Sequence, residues 1–128
     1  MKKIFLILLF PFLVAFQCDD DVDSGFETIY IIQNDSGTDL YLLDSQERFI
    51  ELPSQADLSV GSALKNEASP ILPSESFIFN DVKLYRSENN NFILAYSQEP
   101  LEDGLWSLTE PVMNRFEYTL VITDAELD

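Results

Sequence analysis

Apolar positions recur in twos along much of the chain. Phe26, Thr28, Tyr30 and Ile32 fall on one face of an extended segment, and Glu27, Ile29, Ile31 and Gln33 on the other. Near the end, Phe116, Tyr118, Leu120 and Ile122 alternate in the same way with Glu117, Thr119 and Val121. Successive side chains of a strand point to opposite faces, so this period predicts strands with one face on a core. Further short runs, rich in β-branched and aromatic residues, occupy 40–43, 48–52, 57–60, 76–80, 82–86 and 91–96. Turn-forming clusters separate them: 34–39 with Gly37, Asp44-Ser45-Gln46, and 87–90 with Asn89 and Asn90. A 3.6-residue period never lasts beyond two turns, and only 124–128 has room for one helical turn, capped by Thr123.

Seven to eight short strands in about 100 residues predict an all-β domain over 26–128. The expected form is a single immunoglobulin-like antiparallel β-sandwich, with an open β-barrel as the alternative. Two regions resist the pattern. Residues 53–73 read as the loosest part of the domain, and 100–111, bracketed by Pro100 and Pro111, as a long connection holding Trp106.

The first seventeen residues follow a different rule. Lys2 and Lys3 precede an unbroken apolar run over 4–16. Thirteen residues are too few for a helix to cross a hydrocarbon core, which needs roughly 20, but they suit the h-region of a signal peptide. The run ends at Gln17-Cys18, and Asp19, Asp20, Asp21 and Asp23 follow at once. In Val14-Ala15-Phe16-Gln17-Cys18 and the acidic stretch after it, the chain resembles bacterial lipoproteins of the Bacteroidota type. Gln17 and Phe16 stand where the usual lipobox has small residues. The resemblance covers about twenty residues. It implies a lipoprotein signal peptide over 1–17, diacylglycerol on Cys18, a fatty acyl chain such as palmitate, and an acidic tether over 18–25. It also implies an address at the outer-membrane surface. A plain secretory leader cut after Ala15 is the alternative.

Charge narrows the partners. The chain has 7 basic and 23 acidic residues, net −16. Loss of Lys2 and Lys3 with the leader leaves 5 against 23, or −18. Such a surface repels phosphate backbones and anionic headgroups, so nucleic acid and a basic membrane-binding patch are excluded. Cations, basic protein surfaces and neutral sugars remain, and the same charge also serves solubility alone.

Chemistry is limited by supply. There is no histidine and one cysteine, Cys18. Ser-His-Asp or Cys-His catalysis lacks its base, zinc lacks its usual ligands, and an internal disulfide has no second thiol. Carboxylates are abundant, yet no pair is singled out for glycoside hydrolysis. The chain therefore reads as non-catalytic and without a cofactor. A hard cation such as calcium needs several oxygen ligands. Asp19-x-Asp21-x-Asp23 begins like an EF-hand loop, but Ser24 stands in the glycine position and Tyr30 in that of the bidentate glutamate. Asp35 and Asp39, flanking Gly37, offer a second place for calcium at a hairpin tip.

Most aromatic rings fall in strands and read as core. Trp106 differs, following Glu102-Asp103-Gly104-Leu105. Such a ring beside carboxylates either stacks on a sugar ring as a ligand contact, with Glu102 and Asp103 accepting its hydroxyl hydrogen bonds, or plugs the end of the sandwich. The expected function is a cell-envelope lipoprotein, displayed as a binding or accessory module for a protein or glycan. A structural envelope protein with no dedicated ligand, and a calcium-binding module, are the alternatives.

Overall fold

Eight strands carry the chain in the computed structural model, which describes residues 25–128. They are β1 (Phe26–Asn34), β2 (Leu40–Leu43), β3 (Phe49–Leu52), β4 (Asp57–Lys65), β5 (Val82–Glu88), β6 (Asn91–Gln98), β7 (Trp106–Val112) and β8 (Arg115–Ile122). They form two four-stranded sheets, ordered β4-β1-β8-β7 and β3-β2-β5-β6, and do not close into a barrel. The fold is the expected β-sandwich. The expected leader over 1–17, Cys18, the Asp19-x-Asp21-x-Asp23 spacing and all of the expected tether but Gly25 lie outside the described residues. No helix among the described residues is long and apolar enough to cross a membrane.

Alternation in the two long strands decides the first sheet. Thr28, Tyr30, Ile32 and Asn34 of β1 turn inward beside Phe116, Tyr118, Leu120 and Ile122 of β8. These two strands run parallel, whereas every other pairing in the two sheets is antiparallel. A parallel pair needs a long crossover, and here the intervening domain supplies it. From the second sheet Leu40, Leu42, Leu52, Val82, Leu84 and Ala95 close the core. Full burial of one such large aliphatic side chain is worth roughly 1.5–3 kcal/mol.

Three expectations need correction. Residues 76–80 form no strand: Pro73–Glu75 is a 3-10 turn, and the chain then crosses from it to β5 without a ladder. Ile78 and Phe79 are consecutive, yet both pack against the core, while Phe77 is fully exposed. A pleated strand cannot place neighbours on one side. Gly61 makes this crossing fit: its φ is +156°, and a Cβ there would lie 2.5 Å from Ile78 Cγ2. The β1–β4 register slips between Tyr30 and Ile31, beside Gly61, so glycine marks both a bulge and a close approach. The second correction concerns β4 itself, which continues to Lys65 instead of ending at residue 60, because Gly61 and Ser62 keep the strand course without its apolar signature.

The third concerns 100–111. Asp103–Leu105 is a 3-10 turn, and β7 begins directly at Trp106. Pro111 lies inside β7, at the outer edge of its sheet, where the pairing with β8 is irregular between Thr109 and Val112. A residue without an N–H is tolerated at an edge or a bulge, so Pro111 does not end the strand.

The turn at 34–39 is built around one side chain. Asn34 is fully buried; its amide donates to the carbonyls of Thr38 (2.8 Å) and Leu52 (3.0 Å) and accepts from Ser36 N–H (3.0 Å) and Oγ–H (2.6 Å). This satisfies the backbone where β1 leaves one sheet for the other. At the other terminus Thr123 Oγ1 accepts from Ala125 N–H (3.3 Å), and Glu126 accepts from Thr123 N–H (2.7 Å), the expected capped turn.

Candidate functional site

Trp106 lies inside the sandwich, 5% exposed. Its ring meets Tyr30 edge-on at 6.4 Å and Phe79 at 5.7 Å. Its indole N–H donates to Gln98 Oε1 at 2.9 Å, and the same oxygen accepts from Glu102 N–H at 2.9 Å. Tyr30, fully buried, meets Phe79 at 5.3 Å and stacks on Tyr118 at 6.2 Å. Its hydroxyl donates to the Ile71 carbonyl at 2.8 Å. Burial pushes the Tyr30 phenol up to about 12, and raises that of Tyr118.

Of the two readings of Trp106, ligand contact or interior plug, the burial agrees with the plug. The ring is an interior plug, because β7 starts at this residue and turns it inward opposite Leu120. Asp103 does not accompany it as a free acceptor either: its carboxylate accepts from Ser74 N–H (2.8 Å) and Oγ–H (2.5 Å), pinning the 3-10 turn at 73–75. Glu102 is exposed. The three residues therefore do not converge on one surface.

Asp35 and Asp39 serve separate local bonds. Asp35 Oδ1 accepts from the Gln33 amide at 2.7 Å, while Asp39 Oδ1 accepts from Ser54 N–H at 2.9 Å. The N–H of Gly37 between them goes to Asp124 Oδ1 at 3.0 Å. Among the described residues, no three Asp, Glu, Cys or His side chains gather with metal-binding geometry. A cleft of about 560 Å³ opens under the 77–80 crossing, with Asp44, Asp81 and Lys83 at its rim. Those charges are engaged: Asp44 pairs with Arg48 at 2.8 Å and Lys83 with Asp81 at 3.5 Å. The Arg48 N–H and guanidinium hold the Asp44 carboxyl below its usual value, the opposite of what a general acid needs.

A second aromatic group lies where the sequence did not direct attention. On the outer face of the β3-β2-β5-β6 sheet each strand contributes one ring: Phe49 from β3, Tyr41 from β2, Tyr85 from β5 and Phe92 from β6. Glu51, Tyr41, Tyr85 and Leu94 are paired successively across the four strands and so share this face. Phe49 and Phe92 stack at 4.1 Å with an interplanar angle of 18°. Phe92 also meets Tyr41 edge-on at 5.0 Å, and Phe49 meets Tyr85 at 5.2 Å.

Phe49 and Phe92 stand on opposite edge strands, three strand spacings or about 14 Å apart across a flat sheet, and are offset along the strands as well. Their contact follows from sheet twist, which lifts diagonal corners toward each other on one face. Two of the rings and a neighbouring leucine are open to solvent, Phe49 by 41%, Phe92 by 46% and Leu94 by 43%, while Tyr41 and Tyr85 are half-buried. A contiguous aromatic patch on the solvent side of a small domain marks an interaction surface more often than a scatter of single apolar residues does.

One signal for this face was present in the sequence. Leu40-Tyr41-Leu42-Leu43 and Phe92-Ile93-Leu94-Ala95-Tyr96 are apolar at every position. A half-buried strand needs only alternate apolar residues, so each run announces a second apolar face. No protein-family model, curated protein or solved structure matches this chain.

Proposed function

We propose that this chain is a non-catalytic lipoprotein of the cell envelope, held by acylated Cys18 at the outer-membrane surface, that presents the aromatic face of the β3-β2-β5-β6 sheet to a ligand. The observation that carries the binding role is the four-ring group Tyr41, Phe49, Tyr85 and Phe92 on the solvent side of that sheet. A sandwich needs apolar residues only between its layers, and water-facing rings that touch one another offer ready-made contact area at little ordering cost. The leader over 1–17, Cys18 and the following aspartates support the address, and two or more acyl chains give stable anchoring where one does not.

The anchor is tested by partitioning in Triton X-114. Wild-type protein is expected in the detergent phase and Cys18→Ala in the aqueous phase; wild-type protein in the aqueous phase would overturn lipidation. Protease treatment of intact cells tests display: the lipoprotein is expected to be cleaved while periplasmic proteins survive.

A further inference from the structure

Resting on the reading of this face as the binding surface, we infer that its occupant is a cationic polypeptide segment, whose arginine or lysine side chains lie over the exposed rings and pair with Glu51. The first ground is charge. Of 7 basic and 23 acidic residues, Lys2, Lys3, Asp19, Asp20, Asp21 and Asp23 precede residue 25, so 25–128 holds 5 against 19, or −14. Four of those five cations are already held by acids. Arg48 pairs with Asp44, Lys65 with Glu67, Lys83 with Asp81 and Glu99, and Arg86 with Glu88. The domain thus has carboxylates to spare and almost no positive charge to offer. A second copy would bring the same excess and be repelled, whereas a basic segment is drawn in from a distance.

The second ground is what surrounds the rings. Glu51 is exposed and sits directly across from Tyr41 on the same face. Lys83, on β5, is neutralised from two sides by Asp81 at 3.5 Å and Glu99 at 3.3 Å, and Arg48, next to Phe49, by Asp44 at 2.8 Å. An incoming cation therefore meets exposed aromatic surface at Phe49 and Phe92 and an unpaired carboxylate, with the nearby Lys83 and Arg48 already neutralised. Aromatic faces attract a cation within about 6 Å of the ring centre, and a planar guanidinium also stacks on them.

The third ground is the shape of the ring group. Phe49 and Phe92 are stacked on each other, while Tyr41 and Tyr85 meet them at 69° and 86°. The rings form steps instead of one flat platform. A pyranose laid flat would lose contact across such steps, whereas separate side chains of a flexible segment can each follow one step.

The test is titration of the full-length mature protein in detergent micelles at 150 mM salt, by calorimetry and amide chemical shifts. The probe is an eight-residue peptide alternating arginine and glycine. Its citrulline counterpart, which keeps shape and removes charge, and cellohexaose, a neutral sugar, are run beside it. The arginine peptide is expected to bind and to shift amides around Tyr41, Phe49 and Phe92, and the citrulline peptide to bind at least tenfold more weakly. The double variant Phe49→Ser/Phe92→Ser is expected to lose at least tenfold in affinity at unchanged net charge, with its β-type circular dichroism intact. Glu51→Gln is expected to lose about threefold, and Glu117→Gln, on the other sheet, less than twofold. Arginine peptide bound as tightly by the double variant as by wild type would reduce the effect to bulk charge and overturn the inference, leaving the face open to another ligand class. Cellohexaose binding at the rings more tightly than the peptide would also overturn it while keeping the face as a binding surface. Failure of all three probes to move amides on this face would remove the binding reading itself.

Discussion

The molecule contains two aromatic groups of four rings that meet opposite fates. Tyr30, Phe79, Trp106 and Tyr118 lie between the sheets, and Tyr41, Phe49, Tyr85 and Phe92 lie outside one of them. In the inner group the polar atoms of Tyr30 and Trp106 are paired, with Ile71 and Gln98. Burial without those bonds would cost a few kcal/mol. In the outer group Tyr41 and Tyr85 are half-buried at the surface of the sheet, where no second layer covers them. Ring count and propensity are therefore no guide to role; what differs is whether a second layer covers the face. The inner rings stabilise the fold, and the outer rings are available to a partner.

The largest expected effect breaks the inner group. Trp106→Ala removes a ring that touches Tyr30 and Phe79, and is expected to cost about 3–5 kcal/mol. That is a large part of a total margin of order 5–15 kcal/mol. A urea melt reads the difference, and a loss within roughly 1 kcal/mol would show that the inner ring is as dispensable as an outer one.

Alkaline pH probes the same group through its phenols. Burial raises Tyr30 to about 12 in the folded protein, against about 10 in an unfolded chain. Because the folded value is the higher one, the stabilising contribution is complete below pH 10 and is lost as pH rises from about 10 to about 12. Tyr118, also raised by burial, acts in the same direction. Tyrosinate absorbance and circular dichroism followed together should show late-titrating phenols ionising as the β signal disappears. Complete titration of all five tyrosines with the β signal intact would contradict the burial of Tyr30.

The smallest expected effect belongs to the outer group. Phe92→Ser, at a side chain 46% exposed, is expected to change stability by about 1 kcal/mol or less. The same melt that reads Trp106→Ala measures it. A cost equal to that of Trp106→Ala would make the outer rings a second core instead of a binding face.

Much of the architecture was legible because alternation is a local property. In β1 and β8 the inward sets Tyr30, Ile32 and Tyr118, Leu120 can be read off the period alone. The turns at 34–39 and 87–90 were legible for a similar reason: Asn89 and Asn90 take φ of +52° and +63°, conformations that Asn tolerates better than most residues. Residues 76–80 misled because β-forming composition does not say whether a ladder partner is within reach. Gly61, which lets Ile78 approach, is fifteen or more residues away in sequence. Pro111 misled for the converse reason, since a proline forbidden in a central strand is harmless on an edge, and edge position is not encoded locally.

The candidate site was less legible still. Trp106 drew attention as a lone indole beside acids, yet β7 turns it inward. The wholly apolar runs in β2 and β6 were visible, but their meaning depended on which strands became neighbours.

By itself the sequence determined composition-level properties and short-range ones: an acidic chain without histidine, an apolar run over 4–16 shortly before Cys18, alternating strands and the turns between them. Each follows from one residue type or a few adjacent residues. Tertiary structure decided what pairing alone can decide: the parallel seating of β1 beside β8, the inward turn of Trp106, and the assembly of Tyr41, Phe49, Tyr85 and Phe92 on one twisted sheet. Those rings are spread over more than fifty residues of sequence. They meet because sheet order and twist bring diagonal corners of one sheet together, a relation between strands that no segment carries alone.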